Sequence, residues 1–188
     1  MLESWPIKGT IPRGRDARED ARNAKRLTAS EKDDAELSMI VDLVRNDLGR
    51  VSEPGSVKVE GHRELMKLSH VMHTYSRVSG KLARGKDLFD AIRSVFPGGS
   101  ITGCPKKRTM EIIDKLEDFK RGIYTGSAGY ISFSGDADLN ILIRSILLKD
   151  GRIWFQAGGG IVIDSDAGKE YEESVDKARA IMETLNGD

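Results

Sequence analysis

The sequence contains a single cysteine, Cys104, so no internal disulfide can staple the fold and the disulfide-dense secreted class is excluded. It carries no excess of either charge, because thirty Lys and Arg side chains face thirty Asp and Glu. Such a balance sets up no overall field for nucleic acid or an anionic membrane, and any anion site must be local. No apolar run approaches the ~20 residues of a membrane-spanning helix, and no h-region follows Met1. The expectation is a soluble protein of the reducing cytoplasm. Proline is scarce, five in 188 residues, yet Pro6 and Pro12 fall close together.

What is present is ordinary globular composition, 38% apolar and 32% charged, in a length that gives one domain a real core. The stretch PIKGTIPRG, Pro6 to Gly14, sets Lys8 between an isoleucine and a glycine. A lysine amine attacks carbon near neutral pH only where its surroundings disfavour the ammonium, since its ordinary pKa is ~10.4. Prolines on both sides stiffen the backbone, and Gly9 lets it pass close to a bound molecule. Lys8 is therefore a candidate nucleophile, although these residues alone also suit an exposed loop.

Residues 15–33 are charged and poor in apolar side chains, as in a solvated helix or arm. Leu37, Ile40, Val41, Val44 and Leu48 then recur at helical spacing behind an acidic first turn, predicting a helix from about Glu31 to Leu48. VKVE after the SEPGS turn predicts a short strand, and the β-branched, alternating run from His70 to Leu82 a longer one. Asp87 caps a helix that turns Leu88, Phe89, Ala91, Ile92 and Val95 inward. Another helix begins at Pro105, preceded by Ser100 and Thr102, and its free amides suit an anion or a carbonyl oxygen. SAGYISF, LNILIRSILL and RIWFQAG read as three strands of an antiparallel meander with a hairpin turn at Asp150-Gly151. A glycine triplet and a short strand then lead into a terminal helix with Val175, Ala178, Met182 and Leu185 on one side. Short antiparallel strands among helices define an α+β class.

Two acidic pairs stand out on two helices: Asp33 with Glu36, and Glu170 with Glu173, each three apart, the second followed by Lys177. Four carboxylates, two inner and two through water, suit magnesium, which prefers oxygen ligands and keeps waters. Ordinary helices also carry such pairs. Arg144 interrupts an apolar run, where it either faces solvent or holds a carboxylate bidentately. Gly158, Gly159 and Gly160 form a tight turn or let backbone amides approach a second carboxylate. His73 carries the side chain that titrates near neutrality. Cys104 reads as a small buried residue without an activating base.

Taken together, PIKGT, ELSMIVDLVRNDLGRV, VMHTYSRVSGKL, FPGGSITGCPK, RGIYTGSAGY, LIRSILL, QAGGGIVIDS and EYEESVDKARA identify the chain as resembling the chorismate-utilising enzymes. They match the C-terminal part of that family, closest to its aminodeoxychorismate branch. The resemblance implies the C-terminal portion of a chorismate-binding β-sandwich. It implies that Lys8 attacks C2 of chorismate, where the anthranilate branch typically has alanine. Thr10 and Ser100 would lie at the substrate, and His73 at its C4 hydroxyl. Tyr124 and Arg144 would bind the enolpyruvyl carboxylate, and Gly158, Gly159, Gly160 and Lys177 the ring carboxylate. Glu36 and Glu173 would hold Mg2+, with Glu170 and Asp33 as outer acids; Asp33 replaces the commoner glutamate.

The implied reaction converts chorismate and ammonia into 4-amino-4-deoxychorismate, a folate and p-aminobenzoate precursor. Ammonia would come from a separate glutamine amidotransferase subunit, component II. An anthranilate synthase or isochorismate-type enzyme on the same fold is the alternative, as is a chorismate-binding fragment that catalyses nothing. The family extends further upstream than this chain, so a cut sheet edge predicts a homodimer or an exchanged or mobile arm over residues 1–30.

Overall fold

A long strand organises the first half of the protein. In the computed structural model, which describes residues 1–163 and 165–187, the chain separates into two compact units, Met1–Ser100 and Ile101–Asp188. The first unit runs β1 (Leu2–Ser4), β2 (Ile7–Pro12), α1 (Ala17–Thr28), α2 (Glu31–Gly49), β3 (Lys58–Lys67), β4 (Val71–Gly80) and α3 (Leu88–Val95). Strand β4 pairs antiparallel with all three other strands, β1 and β2 following one another along one edge and β3 taking the other.

The alternation in VMHTYSRV explains this central position. Met72, Thr74, Ser76 and Val78 are fully buried, while His73, Tyr75 and Arg77 point the other way. Val78 packs with Leu37, Val41 and Leu48 of α2, and Met72 packs with Ile11 of β2 and Leu27 of α1. Full burial of such a side chain is worth roughly 1.5–3 kcal/mol. These two clusters fix both helices against one face of the sheet. Each helix is started by a side chain: Asp16 accepts from Glu19 N, Ser30 from Asp33 N, and Asp87 exchanges bonds with Asp90.

Two expectations change here. VKVE is only the start of β3, which continues to Lys67 through register shifts beside Gly61 and Arg63. Part of the stretch expected to be an arm lies in the sheet, since β1 and β2 pair with β4 of the same chain and α1 buries Leu27.

A short turn of helix, α4 (Gly99–Thr102), spans the junction. The second unit then holds α5 (Lys106–Leu116), β5 (Gly129–Ile131), β6 (Ala137–Leu139), β7 (Ile146–Lys149), β8 (Arg152–Phe155) and α6 (Ala167–Asn186). The strands form two separate hairpins, β5 with β6 and β7 with β8, instead of one meander. LNILIRSILL is not one strand: it breaks at Arg144, whose φ of 50° is left-handed. The turn at Asp150-Gly151 is as predicted, with φ of 52° and 69° in the sense that suits a two-residue hairpin. IVI after the glycine triplet forms no strand.

None of the described residues of the second unit is buried, and Phe133, Ile161, Ile163, Leu148 and Trp154 are all exposed. Two-stranded hairpins supply one layer, and a core needs a second layer to close it. Among the described residues no helix is long and apolar enough to cross a membrane.

Candidate functional site

The first unit gathers its candidate residues around a bulge in β2. Register against β4 passes from Lys8 opposite Thr74 to Thr10 opposite His73, leaving Gly9 without a partner in the ladder. Gly9 has φ of 73°, and a Cβ there would lie 3.0 Å from Leu27 Cδ1 and 3.2 Å from Asp33 Cγ. Glycine is needed on both counts. Lys8 is fixed at its backbone, where its carbonyl accepts from Thr74 Oγ1 at 2.6 Å.

The side chain of Lys8 reaches α2, where Nζ lies 3.4 Å from Glu36 Oε2, with exposures of 28% and 31%. This corrects the expectation of an unsolvated amine: the ammonium has a carboxylate partner and some water. Asp33, one turn earlier, packs beside Gly9. His73 points away from the helices; its Nδ1 lies 3.0 Å from Thr10 Oγ1 and 3.1 Å from the Gly9 carbonyl. The bulge thus divides the set: Lys8 lies with Glu36 and Gly9 with Asp33 on the side of α2, while Thr10 and His73 pair on the opposite face of the sheet. Ser100 is exposed on α4, following Gly99, which packs against Leu43.

The end of the motif does structural work that the sequence did not reveal. Asp20 of α1 is buried and accepts from Arg13 Nε at 2.7 Å, from Gly14 N at 3.0 Å and from Lys67 Nζ at 3.4 Å. The hydrogen bond from Arg13 and the one from Gly14 N, with Lys67 helping, hold its carboxyl well below the usual range against the opposing effect of burial. An arginine and glycine followed six residues later by an aspartate in a helical first turn is the signal that was available.

The second unit gathers the other set. The Tyr124 hydroxyl sits 3.1 Å from where a Cβ on Gly158 would be, and Glu170 Oε2 sits 3.2 Å from the equivalent point on Gly159. Lys177 Nζ donates to the Gly158 carbonyl at 3.3 Å and pairs with Glu173 Oε1 at 2.6 Å. Glu170 Oε1 accepts from Ser165 Oγ at 2.6 Å. Tyr124, Gly158, Gly159, Glu170, Glu173 and Lys177 therefore cluster, while a Cβ on Gly160 would meet open space. Arg144 is exposed in the linker between β6 and β7, outside any strand.

Sequence reasoning passed over Arg121, whose guanidinium grips Glu117 at 2.7 and 2.8 Å and lies 5.9 Å from the Tyr124 ring centroid. Burial pushes the Tyr124 phenol above its ordinary value, against the pull of Arg121. The Glu117–Arg121 spacing of four was the available sign. Cys104 is exposed, which corrects the expectation of a buried residue. Among the described residues no group of three or more His, Cys, Asp or Glu lies together as a metal cluster; each acidic helix offers a pair.

Comparison with known proteins agrees with these motifs. A family described as chorismate binding enzyme matches residues 1–183. "Anthranilate synthase component 1" of Aquifex aeolicus is 49% identical over 184 residues, 98% of this chain and 37% of that protein. "Aminodeoxychorismate synthase component 1" of Bacillus subtilis is 50% identical over 185 residues, 98% of this chain and 39% of that protein. The crystal structure of anthranilate synthase component I from Streptococcus pneumoniae superposes with a TM-score of 0.84 at 44% identity, covering 94% of this chain and 39% of that one. The chain thus spans under two fifths of each of these relatives.

Proposed function

The chain belongs to the chorismate binding enzyme family, and from that premise we propose that it is the nucleophile-bearing part of an aminodeoxychorismate synthase component I. One observation carries the choice of branch: position 8 is a lysine, set beside a backbone bulge and aimed at an acidic helix. The relatives named for anthranilate and for aminodeoxychorismate synthesis are equally similar, so overall likeness does not decide between them.

In this reading Lys8 Nζ, released from Glu36 and having passed a proton to water, forms a bond to C2 of chorismate. Ring electrons shift, the C4–O bond breaks with its electron pair on oxygen, and His73 gives that oxygen a proton so that water leaves. Ammonia then bonds to C4, the C2–Nζ bond breaks, and Lys8 recovers its amine. A glutamine amidotransferase partner would supply the ammonia. Thr10 and Ser100 would contact the ring. Tyr124 with Arg144 would take one carboxylate, and Lys177 with the Gly158, Gly159 and Gly160 backbone the other.

Glu36 and Glu173 would hold Mg2+, with Asp33 and Glu170 as outer acids. Within each unit the acids offer a pair of oxygen donors suited to a hard cation, and each inner acid already pairs with a lysine ammonium, Glu36 at 3.4 Å and Glu173 at 2.6 Å. When bound, the metal would draw electron density from the ring carboxylate and open C2 to attack.

The test is mass spectrometry of the protein with chorismate and no ammonia, compared with Lys8→Ala. An adduct on Lys8 is expected, and its absence in protein that calorimetry shows to bind chorismate removes Lys8 from the mechanism. Product analysis with an ammonium salt separates the anthranilate reading, which requires release of pyruvate. Calorimetry with chorismate separates both readings from a fragment that binds without turnover.

A further inference from the structure

We infer that the Gly9 carbonyl holds the His73 imidazole as its Nδ1–H tautomer, so that Nε2 is the nitrogen left to face a substrate oxygen. The assignment of His73 to proton transfer rests on the function proposed above, whereas the tautomer rests on geometry alone.

A carbonyl oxygen can only accept. Its 3.1 Å contact with His73 Nδ1 is a hydrogen bond only when Nδ1 carries the hydrogen; otherwise two lone pairs would face each other. Thr10 Oγ1, 3.0 Å from the same nitrogen, then accepts a second branch of that bond. Its own hydroxyl hydrogen is left for another acceptor, which gives Thr10 a donor to offer to an oxygen-rich ligand. The alternative makes Thr10 the donor to a bare Nδ1 and leaves the carbonyl facing a lone pair.

The bulge is what turns this carbonyl toward the ring. Gly9 faces no residue of β4 in the register, and its φ of 73° departs from strand geometry. In an unbulged strand the carbonyl would belong to the ladder. Because Nδ1 carries a hydrogen in both this neutral tautomer and the imidazolium, the carbonyl accepts from it in either form and the ring need not turn when Nε2 gains or gives up a proton. Gly9 is also joined by a peptide bond to Lys8, so one backbone feature fixes the backbone beside Lys8 and the orientation of the His73 imidazole. Gly9 is therefore a positioning residue, acting through His73.

The test is long-range 1H–15N correlation spectroscopy on the 15N-labelled 188-residue chain, at a pH of about 8.5 where imidazole is neutral. With three histidines in the sequence, loss of one signal set in His73→Asn assigns His73. The expected spectrum shows Nδ1 in the protonated range and Nε2 in the unprotonated range, and the same pattern in Thr10→Val. An Nε2–H pattern in the wild type, or a change to it in Thr10→Val, overturns the inference by making Thr10 the determinant. The readout needs no turnover, so an inactive chain leaves it intact, and an active one with the wrong tautomer defeats this inference without touching the role of Lys8.

Discussion

Gly9→Ala tests the bulge most directly, because the cost can be worked from two local quantities. Holding an L-residue at the φ of 73° costs roughly 1–2 kcal/mol. The added methyl would sit 3.0 Å from Leu27 Cδ1 and 3.2 and 3.3 Å from Asp33 Cγ and Cβ, and displacing such neighbours costs roughly 1–3 kcal/mol. Restricting the unfolded chain returns about 0.4–1 kcal/mol. The expected net loss is about 3 kcal/mol, a urea midpoint lower by roughly 1.5 M for a slope of about 2 kcal/mol/M. Urea unfolding followed by far-UV circular dichroism reads the first unit, where Leu27 lies in the core. A midpoint within about 0.2 M of wild type at an unchanged slope would refute the reasoning, because it would mean that the chain does not press on α1 and α2 at Gly9.

The remaining predictions concern charge. The Asp20 carboxyl is depressed mainly by Arg13, so between the unfolded value near 3.9 and its lower folded value the unfolded state binds more protons and stability falls with acid. Asp20→Asn should flatten that decline in thermal unfolding measured from about pH 5 downward and lower stability above it; an unchanged acid slope would show that the clamp contributes nothing. Glu36→Gln should weaken Mg2+ binding by at least about tenfold in calorimetry, since the amide offers no charge to a hard cation. An affinity within a factor of two of wild type would remove Glu36 from the metal set. Tyr124 and Tyr75 should ionise above the ordinary ~10 in an absorbance titration, Tyr124 because of burial and Tyr75 because it donates to Glu64 at 2.6 Å. Titration of all four tyrosines at the ordinary value would contradict both contacts.

Much of the fold was legible because its signals are local. Helical spacing placed α2 within one residue of its observed end, Asp87 announced the start of α3, and Asp150-Gly151 announced a hairpin. The meander was misread because an apolar run such as LNILIRSILL states that side chains want cover, not where the backbone turns. Strand pairing stops from Asn140 to Ser145, a stretch that includes the left-handed Arg144. The candidate site was legible as a list of residues. It was not legible as contacts, so the Lys8 partner, the exposed Cys104 and the Asp20 clamp all had to come from the structure.

The sequence by itself determined which chemistry is available: an amine at position 8, an imidazole at 73, acids at 33, 36, 170 and 173, and the motifs that place the chain in its family. Tertiary structure alone decided what each group touches. Gly9 and His73 are 64 residues apart, and their contact depends on which residue of β2 drops out of register with β4. That choice is made by packing Ile11, Leu27 and Met72 into one cluster while α2 presses Asp33 against the bulge, a balance among distant segments that no local pattern encodes.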